Sequence, residues 1–131
     1  MKIKEVELLK RRALNFLEYA KIQLKGEAYD LASFSSEQAA QLYLKSLILQ
    51  LSGEIPRTHS IRELLRIIGE LTNRQEEVKE FIRENRIRLR LLENAYIESR
   101  YLPIVYEKED AEVIVGIAKE VIDFVGSLCE N

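Results

Sequence analysis

Tyr29 to Leu65 reads YDLASFSSEQAAQLYLKSLILQLSGEIPRTHSIRELL. Its first part predicts a helix from about Ala28 to Ser52. Leu31, Phe34, Leu42, Leu44, Leu47, Ile48, Leu49 and Leu51 leave little polar face in the second half. A helix that is apolar almost all round is central and buried, so this segment reads as the spine of the fold. Ala28, Ala32, Ala39 and Ala40 are small enough to let a neighbouring helix come close. Gly53 closes the helix, because glycine accepts the left-handed conformation of a helix end, and Pro56 prevents its continuation. Ser60-Ile61-Arg62-Glu63 matches a capping box, in which hydroxyl and carboxylate each satisfy a free backbone N–H. It opens a third helix with Ile61, Leu64, Leu65, Ile68 and Leu71 as its apolar stripe, and Gly69 weakens the end of that helix.

Working outward, the spacing of Leu9, Ala13, Phe16, Leu17, Ala20 and Leu24 predicts a first helix over about Lys4–Lys25, stopped by Gly26. A fourth helix is predicted from about Gln75 to Ser99, with Val78, Phe81, Ile82, Leu89, Leu92 and Tyr96 inward. Asn85 falls on that inward side, as a buried polar contact or a mild bend. A last helix is predicted over about Asp110–Leu128, with Ile114, Ile117, Ala118, Val121, Val125 and Leu128 on one face. Glu109 and Asp110 place negative charge where the helix dipole favours it. No window alternates with period two, and no repeat or low-complexity tract appears. The expected fold is all-α: an antiparallel up-and-down helical bundle of four long helices plus one short helix, one domain spanning residues 1–131.

The composition agrees. A chain of 131 residues suits one core, and with only 2 Pro and 5 Gly it has few breaks for a turn-rich β fold. The net charge of -2 excludes nucleic-acid binding by global positive charge, though not by a local basic face. One cysteine, Cys129, cannot form an internal disulfide, and it sits near the chain end, where packing is expected to be loose. One cysteine and one histidine cannot build a zinc site of the usual nitrogen and sulfur type. There is no Gly-rich phosphate loop, nucleophile elbow or metal motif, so no cofactor is expected. The opening residues lack the apolar run of a signal peptide. No stretch reaches the ~20 apolar residues that span a bilayer, and the expected location is cytoplasmic. Abundant Lys, Glu, Arg and Ile point to a heat-adapted source.

Four pieces in order resemble the HEPN domain, a small helical module of prokaryotes. They are Tyr29-x-x-Ala32-x-Phe34 with Gln38-Ala39-Ala40 and Lys45-Ser46-Leu47, and Thr58-His59-Ser60-Ile61 with Leu64-Leu65. The other two are Tyr96-Ile97-Glu98-Ser99-Arg100-Tyr101-Leu102-Pro103 and a final helix beginning Asp110-Ala111-Glu112. The resemblance implies a compact bundle that pairs as a homodimer. It also implies work beside a small nucleotidyltransferase partner in a toxin–antitoxin-like pair, and possible nucleotide or RNA binding. The ribonuclease members of that family carry an arginine followed four to six residues later by a histidine. Here the single His59 has Arg57 two residues before it and no arginine in the required window. The activity therefore does not carry over by residue. A non-catalytic binding or partner role leads, with a diverged ribonuclease or a purely structural interaction module as alternatives.

The candidate ligand residues are Arg100, Tyr101, Lys45, Arg57 and His59, and the weak catalytic candidates are His59 and Arg100. An arginine fork suits a phosphate, and a tyrosine ring stacks on a base. Arg100 also suits a helix C-terminal cap. His59 is either a general base or phosphate contact, or a tie between its loop and the third helix. Lys45 snorkels, pairs with a carboxylate or reaches a cleft anion. Glu37 and Gln38 join it as a polar set on a buried helix, lining a cleft or a dimer seam. Arg83, Arg86 and Arg90 share a helical face, with Glu80, Glu84 and Glu93 at ion-pair spacing, so that face is an RNA stripe or a solvated one. Arg57, Arg62 and Arg66 form a smaller cluster of the same kind. Tyr19, Tyr29, Tyr43 and Tyr96 supply mixed core and interface surface.

Overall fold

The structure, a computed structural model, describes residues 2–130; Met1 and Asn131, the ends of the expected domain, lie outside them. Among the described residues every regular element is a helix: α1 Lys2–Lys25, α2 Tyr29–Ser52, α3 Ile61–Thr72, α4 Gln75–Glu84, α5 Arg86–Tyr101 and α6 Lys108–Cys129. The all-α bundle is as expected, but six helices replace four long ones and a short one. The difference lies at Asn85, where the predicted fourth helix breaks into α4 and α5. The Asn85 backbone turns to φ -116°, ψ 20°. Its Nδ2 donates to the Phe81 carbonyl at 2.9 Å, the same oxygen that accepts the Asn85 N–H at 3.1 Å. An asparagine that competes for backbone partners in this way interrupts a helix. Arg88 donates to Asn85 Oδ1 and reaches Glu120 of α6 at 2.6 Å, which pins the break against the last helix.

α2 is the spine. It packs against α1, α3, α5 and α6, and Leu44, Leu47 and Ile48 sit in the main core with Leu64, Leu92 and Ile117. Buried Ala13 and Ala20 of α1 and Ala32, Ala39 and Ala40 of α2 have side chains small enough for close helix approach. Only three residues connect α1 to α2, which makes them antiparallel neighbours. Leu31, Leu51 and Leu71, predicted on apolar faces, lie exposed. Cys129 packs against the core rather than lying loose.

The helix ends follow local chemistry. Gly53 takes φ 83° and its N–H donates to the Leu49 carbonyl. At α3 half of the expected capping box forms. Ser60 Oγ accepts the Glu63 N–H at 3.2 Å, but the Ser60 N–H donates to Thr58 Oγ1 at 3.1 Å. α6 begins earlier than predicted, because Glu107 caps it and the Asp110 carboxylate accepts the Glu107 N–H at 2.9 Å.

Gly69 has a role other than weakening α3. A Cβ there would lie 3.1 Å from Val78 Cγ2 and 3.4 Å from the Gln75 Cα, so the missing side chain lets α4 fold back onto α3. Gly69→Leu should cost about 1–3 kcal/mol through overpacking, read as a lower urea midpoint. An unchanged midpoint would mean that α4 does not rest on α3 at this point.

Candidate functional site

Phe34, Glu37, Gln41 and Lys45 recur at three- and four-residue spacing, so they share one face of α2. That face meets α5 and the loop before α3. Glu37 is fully buried, at 0% exposure. Its Oε1 accepts from Gln38 Nε2 at 2.8 Å and its Oε2 from Gln41 Nε2 at 2.6 Å. Burial pushes the Glu37 carboxyl from 4.5 up to about 7, against the pull of those two hydrogen bonds and of the Lys45 and Arg100 charges. Burial likewise lowers the Lys45 ammonium, and Glu37 partly restores it.

Gln41 continues the chain of contacts outward. Its Oε1 lies 3.0 Å from His59 Nδ1. The His59 ring stacks on Tyr96 of α5, with centroids 4.7 Å apart and planes 20° from parallel. The Arg100 guanidinium carbon lies 5.0 Å from the same Tyr96 ring, and 4.6 Å from each of Phe34 and Tyr101. Its Nε donates to the Tyr96 carbonyl at 2.9 Å, Nη2 donates to that same oxygen, and Nη1 donates to Tyr101 Oη at 3.2 Å.

The structure thus brings His59, Arg100 and Lys45 around one buried carboxylate. His59 does not tie its loop to α3; it bridges α2 and α5. Arg100 lies in the last turn of α5, where it donates to the carbonyl of Tyr96 one turn back, and its guanidinium is held among three aromatic rings. Three of its five N–H donors are engaged, which leaves one on each terminal nitrogen for an oxyanion. Tyr101 stands at the rim, 70% exposed. Arg57 is exposed on the His59 loop, and among the described residues no hydrogen bond ties it to the cluster. Phe34, Gln41 and Tyr96 were not foreseen as site residues. The one signal for Gln41 was its place midway between Glu37 and Lys45.

The arginine faces divide. Arg83 pairs with Glu80, Arg88 with Glu120 and Arg66 with Glu63. Glu93 pairs not with a neighbour on its own helix but with Arg62 of α3, Nε to Oε1 at 3.0 Å, and it also accepts from Ser60 Oγ at 3.2 Å. Among the described residues Arg86 and Arg90 are exposed and have no ion pair. No group of three or more His, Cys, Asp and Glu among the described residues could hold a metal ion. Among the described residues no helix is long and apolar enough to cross a membrane.

Glu37 makes stability depend on pH. The native state keeps a proton that the unfolded chain releases between about 4.5 and about 7. Stability therefore falls as pH rises through that window and levels off above it. Glu37→Gln removes the penalty, so its effect on unfolding free energy should be roughly 2–3 kcal/mol more favourable at pH 8 than at pH 4.5. Urea melts at the two pH values check this, and an equal effect at both would show that the carboxyl is not held neutral by burial.

Fold and site together define a helical bundle with a polar and aromatic cluster between its central helix and α5. A family model described as the HEPN domain matches residues 6–128, and the chain belongs to that family. The chain is 27% identical to TT1696 from Thermus thermophilus, a crystal structure with a TM-score of 0.76, over 94% of this chain and 97% of that one. It is 25% identical to ST0689, described as an archaeal HEPN homologue, with a TM-score of 0.65 over the same shares. Among proteins of curated function, none matches.

Proposed function

We propose that this HEPN protein binds a nucleotide unit, free or within single-stranded RNA, without catalysing its cleavage. The supporting observation is the convergence of Arg100 and His59, distant in sequence, on the Tyr96 ring. Arg100 takes the phosphate on its two unengaged N–H groups, and Tyr101, the exposed ring beside it, stacks on the base. Because the net charge is -2, affinity must come from this local arrangement and not from long-range attraction. Lys45 and Arg57 extend the basic surface. Tyr101→Ala should weaken binding of a fluorescein-labelled oligouridine by roughly 5- to 150-fold, the equivalent of 1–3 kcal/mol of stacking. Fluorescence anisotropy measures it. No binding of oligouridine and no thermal shift with ATP at millimolar concentration would sink the proposal, as would equal affinity of the variant.

One observation favours the diverged-ribonuclease reading: His59 has Nδ1 engaged by Gln41 and Nε2 without a hydrogen-bond partner among the described residues. An imidazole so placed can accept a proton. The absence of an arginine four to six residues before His59 counts against it. RNA cleavage by purified protein that disappears in His59→Ala would favour this reading over the first.

A further inference from the structure

We propose that Glu37, acting through Gln41, holds the His59 proton on Nδ1, so that Nε2 meets the ligand as a hydrogen-bond acceptor. The geometry follows from what each group can donate. An ionised carboxylate only accepts, so the Gln41 end that lies 2.6 Å from Glu37 Oε2 is the Nε2 amide. The other end of that amide, Oε1, then faces His59 Nδ1 at 3.0 Å. An amide oxygen only accepts, so Nδ1 must carry hydrogen. A neutral imidazole has one N–H, and Nε2 is left bare.

Each member of the relay is held. Gln38 engages the second oxygen of Glu37, which keeps the carboxylate from swinging away. Burial holds the proton on Glu37 up to about pH 7. Above that pH, where Lys45 on α2 and Arg100 on α5 favour the ionised form, the carboxylate is accept-only and the relay is set. Stacking on Tyr96 fixes the plane of the His59 ring. Glu37 and Gln41 are thus positioning residues that divide the recognition work. Arg100 receives the anionic group, and neutral His59 receives a hydroxyl or N–H of the ligand. The ligand half of this inference rests on the proposed function, but the tautomer does not.

The chain has a single histidine, so ¹⁵N-histidine labelling reads the tautomer without assignment. At pH 8.5 the wild type should show Nδ1 protonated and Nε2 bare. Glu37→Gln presents either amide end to Gln41, and Gln41→Leu removes the link. Both should move His59 toward the Nε2–H form that free imidazole side chains prefer. Glu37→Gln is nearly isosteric and keeps the test open if Gln41→Leu unfolds. A wild type that is mainly Nε2–H, or an Nδ1–H form unchanged in the folded variants, would overturn the relay. Gln41→Leu leaves the charge unaltered and should weaken oligouridine binding about two- to tenfold, the range of one neutral hydrogen bond. A shifted tautomer with unchanged affinity would overturn the acceptor role. Should the wild type bind no RNA, the proposed function fails, while the wild-type tautomer still decides for or against the relay.

Discussion

Arg100→Ala should lower affinity for single-stranded RNA by about 10- to 150-fold, the equivalent of 1.5–3 kcal/mol for a charge-assisted hydrogen bond to phosphate. The truncation removes the only guanidinium caged by Phe34, Tyr96 and Tyr101 among the described residues. Arg100→Lys separates charge from shape. Lysine keeps the cation but cannot hold the Tyr96 carbonyl and offer two parallel donors at once, so its affinity should fall between wild type and alanine. Removing one cation from a phosphate should also flatten the dependence of log K on log salt by about 0.7. Anisotropy titrations at several salt concentrations measure both effects. Stability should change little, because Arg100 is exposed and the Tyr96 carbonyl it contacts is one turn back within the same helix. Equal affinities and equal salt slopes for wild type and Arg100→Ala would remove Arg100 from the site.

Leu44→Ala should cost about 2–5 kcal/mol, the sum of lost transfer energy and the cavity left behind. Leu44 is 0% exposed, at the middle of the helix that touches four others. Collapse around the gap would have to shift several helices together, which places the cost toward the upper end. A domain of this size has about 5–15 kcal/mol in total, so the variant is expected to be near the limit of folding. Leu51→Ala is the control. Leu51 lies on the same helix but is 44% exposed, and its truncation should cost well under about 1 kcal/mol. Urea denaturation compares the two, and similar costs would show that the Leu42–Leu51 stretch is not the buried spine.

Much of this was legible in the chain. The apolar stripe of α6 was predicted residue by residue and is buried throughout, because a 3.6-residue period marks which side of a helix avoids water. Gly53 and Ser60 announced their helix ends because capping is a short-range hydrogen-bond requirement. The Asn85 break was less legible. Whether an asparagine takes the carbonyl of its own helix depends on burial and on Arg88 and Glu120 beside it. Gly69 misled for a similar reason, since its missing side chain matters only once α4 lies against it. The partner of Glu93 was expected on the same helix surface and is instead Arg62, on another helix.

The site divides in the same way. Glu37, Lys45, His59 and Arg100 stood out singly by residue type, as a carboxylate and a cation in an apolar helix, the lone imidazole, and an arginine at a helix end. The sequence alone determined the main buried stripes and most of the helix ends, the break at Asn85 and the start of α6 excepted, because both depend on residues within a turn or two of one another. Only the tertiary structure decided that Gln41 links Glu37 to His59 and that His59 and Arg100 share Tyr96. Those contacts arise where α2, the loop before α3 and α5 cross, and no local pattern specifies which side chains will meet at such a crossing.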